Sequence, residues 1–146
     1  MEKKKKIILV ILIIVIILIS LKFVLKNSET SKIIIITDKT EYNEGENLKL
    51  KIENQSGEVL CISSCYPYLF EKKEKEEWKY YKYKECQEQN LNQKCLDSNN
   101  VKAFEIPLSL IGDGGHRIAV PACIGCSFNQ EFQEKERFYS NEFKIK

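Results

Sequence analysis

The 146-residue sequence predicts an all-β domain, an antiparallel β-sandwich of about seven short strands, carried behind one N-terminal transmembrane helix. Three observations lead there. A long apolar run follows a lysine cluster at the amino end. Beyond it, β-branched or strictly alternating segments of strand length recur between turn-forming residues. All six cysteines fall in this second part, an even set that suits a disulfide framework in an oxidising compartment.

The first element is the amino-terminal segment. Lys3–Lys6 make a basic tip over residues 1–6, and residues 7–25 are apolar apart from Ser20 and Lys22. Nineteen helical residues span about 28 Å, close to the hydrocarbon thickness of a bilayer. Lys22 lies near one end, where its long side chain reaches the headgroups. No A-x-A-like cleavage pattern follows and the first cysteine is Cys61, so the segment is expected to stay in place as a signal-anchor. The basic tip predicts a cytoplasmic N-terminus and an extracytoplasmic remainder. Residues 26–31, "KNSETS", form a short polar tether, and residues 32–146 form the folded domain. That domain holds 17 of the 23 basic and 19 of the 21 acidic residues, a net charge of −2 with both signs interspersed. Nothing in this balance favours nucleic acid as a partner.

Strands follow in order. "KIIIITD" (32–38) is a β-branched run, and "NLKLKIEN" (47–54) alternates Leu48, Leu50 and Ile52 against Lys49 and Lys51. "NQSGE" is turn chemistry as well as a glycosylation sequon at Asn54, and "EVLCIS" is the next strand. "PYLFEKKEKEEWKYYKY" is predicted as a hairpin with Tyr68 and Phe70 on one arm and Trp78, Tyr80 and Tyr81 on the other. Helix is its rival, because Glu and Lys are good helix formers. "VKAFEIPLSL" (101–110), "HRIAV" after the "GDGG" turn, and "FYSNEFKIK" complete the set, the last with Tyr139, Asn141, Phe143 and Ile145 on one face.

The succession Tyr42, Gly45 and Glu46 ("Y-x-x-G-E"), Asn54 before its turn, Trp78 in a hairpin, Gly115, Arg117 and Ile118 ("G-x-R-I"), and the closing "YSNEFKI" resembles the immunoglobulin-like domain of bacterial exported proteins and lipoproteins. The resemblance covers nearly all of the chain after the apolar segment. It implies an immunoglobulin-like sandwich outside the cytoplasm and brings no catalytic residues. The family pattern puts an aromatic residue where this chain has His116. A looser similarity to small β-sandwich proteinase inhibitors of bacilli implies a second function, inhibition of extracytoplasmic proteases.

Six cysteines (Cys61, Cys65, Cys86, Cys95, Cys123, Cys126) permit fifteen pairings. Cys65 is expected to join Cys86 beyond the Trp78 hairpin and Cys123 to join Cys126 locally, which leaves Cys61 with Cys95. Two chemical alternatives use the same residues. "CISSC" and "CIGC" together have the spacing of a four-thiolate zinc site. "CIGC" alone has that of a redox dithiol, but it follows a predicted strand and a proline instead of opening a helix. A staple in a loop at the end of the sandwich is the expected role.

His116, the single histidine, has no serine-elbow or carboxylate motif to work with and is expected to be structural or exposed. "IGDGGH" lacks the Lys-Ser/Thr end of a phosphate loop. Glu71, Glu74, Glu76 and Glu77 alternate with lysines and are expected to form a solvated hairpin tip. Trp78 with one or two tyrosines is expected to fill the core; the alternative is that Trp78, Tyr80, Tyr81 and Tyr83 contact a partner. The sum is a non-enzymatic, membrane-anchored binding or accessory module with an envelope protein or glycan as partner and no cofactor or metal.

Overall fold

The computed structural model describes residues 32–81, 93–128 and 130–146. The chain divides into Met1–Thr30 and Ser31–Lys146, and every described residue belongs to the second unit. The predicted anchor, Tyr83 and Cys86 lie outside the described residues. Among the described residues no helix is long and apolar enough to cross a membrane.

The described part is all-β, and its smaller sheet follows directly from the alternating sequence. Strand β1 (Ile33–Thr37) pairs with β3 (Asn47–Asn54), and β3 with β8 (Val101–Pro107), both antiparallel. Side chains of period two send Ile35, Leu48, Leu50, Ile52 and Ile106 inward, and all are buried. Lys49 and Lys51 face water.

The larger sheet is built on one long strand. Strand β9 (Gly114–Ile124) runs at its centre, flanked by β4 (Leu60–Ser63), which pairs with β7 (Gln93–Leu96), and by β11 (Phe143–Ile145), which pairs with β2 (Glu41–Tyr42). Strand β5 (Leu69–Glu74) and β10 (Glu136–Tyr139) also pair with β9, and β6 (Glu77–Tyr81) extends β5. Tyr42, Leu60, Ile62, Phe70, Ile118, Val120, Ala122, Phe143 and Ile145 point inward and join the smaller sheet's residues in one apolar cluster. Tyr68 meets Phe104 edge-on across the core, centroids 5.2 Å apart. Burying each large apolar side chain contributes roughly 1.5–3 kcal/mol.

Three sequence expectations change here. The described residues form eleven strands instead of about seven, because two-residue β2 and four-residue β7 carry no periodicity to read. The sandwich is not wholly antiparallel: β2 lies parallel to β11, with Glu41 and Tyr42 opposite Lys144 and Ile145. "FYSNEF" is not one strand. Ser140 and Asn141 break it with side-chain bonds that replace the ladder. The Ser140 hydroxyl accepts the Ile118 amide at 2.9 Å, and Asn141 exchanges two hydrogen bonds with Thr37 at the end of β1. The break ties the two sheets together.

The predicted hairpin forms, with Lys75 at its turn in the left-handed region (φ 58°). Strand β9 continues past the expected "HRIAV" through Pro121 into "CIGC". Pro121 lacks an N–H, and it sits where the neighbours change: β5 pairs with β9 up to Ala119, and β4 begins at Ala122. At the "Y-x-x-G-E" turn, Gly45 takes φ 81° and the Glu46 amide donates to the Asn43 carbonyl. The Tyr42 hydroxyl, donating to Asp38 at 2.7 Å, has its pKa pushed up to about 12 by burial and by that carboxylate.

Candidate binding face and cysteine row

Strand parity decides what lies on the outer face of the larger sheet. Phe70, Ile118 and Phe138 face the core, so Glu71, Arg117, Arg137 and Tyr139 face outward. Trp78 lies opposite Lys73 and Tyr80 opposite Glu71, on that same face. The Arg117 guanidinium is held between two rings, 4.4 Å from the Trp78 centroid and 4.0 Å from that of Tyr139. Its Nε donates to Glu71 Oε2 at 2.7 Å. Arg137 lies 4.0 Å from the other Glu71 oxygen and makes a two-point contact with Glu134. The Lys73 ammonium sits 5.6 Å over Trp78. Stacking on aromatic faces suits a guanidinium, and each such contact contributes about 0.5–1 kcal/mol or more as water is excluded.

This arrangement corrects two expectations. Trp78 does not fill the core; Phe70 takes that place, and Tyr80 and Tyr81 stay 52% and 41% exposed. Glu71 is not part of a solvated tip but is 7% exposed beneath Arg117. Only Glu74, Glu76 and Glu77 face water at the hairpin end. Arg117, Tyr139 and Glu71 are the functional candidates missed by sequence reasoning. The available signal was parity: Ile118 and Val120 inward forces Arg117 outward beside the hairpin.

Cys61 is bonded to Cys95 and Cys123 to Cys126, as expected. Cys65 is also disulfide-bonded, and Cys86, its expected partner, lies outside the described residues. The location of "CIGC" differs from expectation. Cys123 is a fully buried residue of β9, and only Gly125 and Cys126 form a turn; Gly125 takes φ 71°, which favours glycine, and its amide donates to the Val59 carbonyl. Cys61 faces Cys95 on one side and Cys123 on the other, so three half-cystines form one row across β7, β4 and β9. Cys61, Cys65, Cys123 and Cys126, the four cysteines of "CISSC" and "CIGC", are all disulfide-bonded, which leaves none of them as a thiolate for a four-thiolate zinc site. Among the described residues no group of three His, Cys, Asp or Glu side chains is placed to hold a metal ion.

His116 is buried, its ring stacked on Phe143 with centroids 5.8 Å apart. Its Nε2 donates to the Gly112 carbonyl at 2.7 Å, and Nδ1 has no hydrogen-bond partner among the described residues. Burial lowers its pKa, the Gly112 bond opposes that, and Lys72 adds to the lowering. An unfolded chain therefore takes the proton first. The stability from neutral His116 is complete above about pH 6.5 and is lost as pH falls below it toward the depressed folded value. His116→Phe keeps the ring stack and removes this titration. The difference in urea midpoint between pH 7.5 and 5.0 is expected to be smaller in the variant than in the parent; equal differences would rule this account out.

No family model and no curated protein matches the chain. Among solved structures it is similar to a Pseudomonas fluorescens alkylpurine DNA glycosylase, AlkC, bound to DNA containing an abasic site analog. The identity is 14% over 80% of this chain and 31% of that one, with a TM-score of 0.39. It is also similar to a β-glucosidase from Listeria innocua in complex with gluconolactone, at 17% identity over 79% of this chain and 16% of that one, with a TM-score of 0.31. The chain thus spans less than a third of either neighbour.

Proposed function

We propose that this protein is a membrane-anchored, extracytoplasmic binding module, an immunoglobulin-like sandwich without catalytic activity that engages a protein or glycan component of the envelope. The observation that carries the reading is the Trp78–Arg117–Tyr139 stack fixed on Glu71. It holds two large rings and a guanidinium in set positions on a sheet face and leaves Tyr80 and Tyr139 exposed. Aromatic and arginine side chains with little freedom left to lose are the groups that anchor interfaces. The disulfides support an oxidising location. The apolar run at residues 7–25 supports the anchor and the "YSNEF" ending the immunoglobulin-like assignment.

The test is retention of the purified full chain on envelope material from its own source cells. The Tyr80→Ala/Tyr139→Ala double variant is expected to lose about tenfold or more in binding. Ile36→Ala, an exposed change on the other sheet, should bind as the parent does. Equal retention by the double variant and the parent would reject this face. A reporter enzyme fused after Lys146 tests the location separately, since activity confined to the cytosol is incompatible with the proposed orientation.

A further inference from the structure

We infer that Cys61, Cys95, Cys123 and Cys126 form a thiol–disulfide exchange site for an external dithiol, in which the bridge from β4 moves from β7 to β9. The argument rests on register and does not depend on the binding face.

Cys61 is the directly opposed partner of both Cys95 and Cys123. Its Cα lies 4.0 Å from that of Cys95, the narrow spacing of a non-hydrogen-bonded antiparallel pair. A residue's N–H and C=O point to the same side of its strand, so Cys61 forms the wider, hydrogen-bonded kind of pair with Cys123, about 5.5 Å between Cα atoms. Disulfides span Cα separations of about 4.4–6.8 Å, so this spacing lies within a bridge's range, and closing it requires the two Cβ atoms to draw together as β4 lets go of β7. The Cys61 sulfur also lies 3.5 Å from the Cys126 carbonyl oxygen, against the "CIGC" turn.

Access is uneven along the row. Cys61 and Cys123 are fully buried, whereas Cys126 is half-buried beside a cleft of about 360 Å³ lined by Gln130, Glu131, Gln133 and Lys135. Cys95 is half-buried as well, and the cleft at Cys126 is what makes that sulfur the entry point for an incoming thiolate. It bonds to the Cys126 sulfur, and the S–S bond to Cys123 breaks with Cys123 leaving as thiolate. That thiolate attacks the Cys61 sulfur, forming Cys61–Cys123 and expelling Cys95. The second thiol of the dithiol then closes on the first, releasing Cys126. Two electrons pass from the dithiol, which ends as a disulfide, and its two protons end on Cys95 and Cys126. One bridge remains among these four cysteines. Among the described residues β7 pairs only with β4, so the exchange removes the covalent tie of this edge strand and leaves it held by its backbone ladder and by side-chain bonds such as that from Asn54 to the Leu96 carbonyl.

The experiment uses the full chain in mild detergent with one equivalent of dithiothreitol as the dithiol. After acid quenching, thiols are alkylated under denaturing conditions and peptides are mapped by mass. The expected two-electron product has Cys61 bridged to Cys123, with Cys95 and Cys126 alkylated, and faster proteolysis within Gln93–Leu96. A product with Cys61–Cys95 intact and Cys123 and Cys126 alkylated overturns the inference. So does a product with Cys123–Cys126 intact, or no opening of either bridge. Cys126→Ser gives an independent reading: with Cys123 left as a thiol, a Cys61–Cys123 bridge is expected to form without added reductant, and its absence counts against the site.

Discussion

Replacing Cys61 and Cys95 together by alanine is expected to lower the free energy of unfolding by about 4 kcal/mol, against about 2 kcal/mol for the Cys123/Cys126 pair. The difference comes from the chain each bridge closes. The first joins residues 34 apart and the second residues 3 apart, and the entropy withheld from the unfolded chain grows with the logarithm of that loop. The long bridge also fixes the register of a four-residue ladder at a sheet edge, where backbone pairing alone is weak. Urea midpoints of the oxidised double variants, compared at equal m-values, measure both costs. Equal losses would show that the Cys61–Cys95 bridge does not act through loop closure. A Cys95→Ser single variant adds a link to the exchange site: if Cys61 re-bridges to Cys123, its loss falls short of that of the Cys61/Cys95 pair.

How much of this was legible in the sequence depends on how each residue carries its information. The strand at 47–54 was legible because Leu48, Leu50 and Ile52 alternate with Lys49 and Lys51, and no tertiary contact is needed to see that. The hairpin at 69–81 was legible from its aromatic arms and charged tip, although its composition also suits a helix. Strand β7 was not legible. Its four residues gain their conformation from pairing with β4 and from the Cys61–Cys95 bridge, both contributed by distant chain. Cys123–Cys126 is legible as a local bridge and Cys61–Cys95 only as what the other pairs leave; the row they form is not legible, since it requires knowing that β4 lies between β7 and β9. The Trp78–Arg117–Tyr139 stack has the same character. Its members come from three strands, and a residue's own neighbours cannot tell a partly covered tryptophan on a sheet face from one in the core. Glu71 looked like one more charge in a solvated run because sequence shows the count of charges and not the guanidinium laid over one of them.

Asn54 shows parity read one residue too short, and it yields the second large effect. It continues the inward series Leu48, Leu50, Ile52 and is fully buried, although "NQS" looks like an exposed turn and sequon. Its Nδ2 donates to the Glu58 carbonyl at 2.8 Å and the Leu96 carbonyl at 2.9 Å, while Oδ1 accepts the Ser56 amide and hydroxyl at 3.1 and 2.5 Å. An amide both of whose N–H groups are engaged in the interior is closed to a glycan in the folded state. Asn54→Asp keeps the shape and both acceptor bonds but turns the two donors into a carboxylate oxygen facing two carbonyls. The expected cost is about 3–4 kcal/mol at pH 7, from two lost bonds and a buried charge without a counter-ion. The sign of its pH dependence follows. Burial and the facing carbonyls raise the folded pKa of the new carboxyl above its unfolded value near 3.9, so the folded state binds its proton more tightly and the penalty shrinks as pH falls from 7 toward 4. Urea midpoints of parent and variant should therefore converge on acidification. A constant gap, or one that widens, would mean that position 54 is open to water and that the four-bond network does not tie the end of β3 to its following turn and to β7.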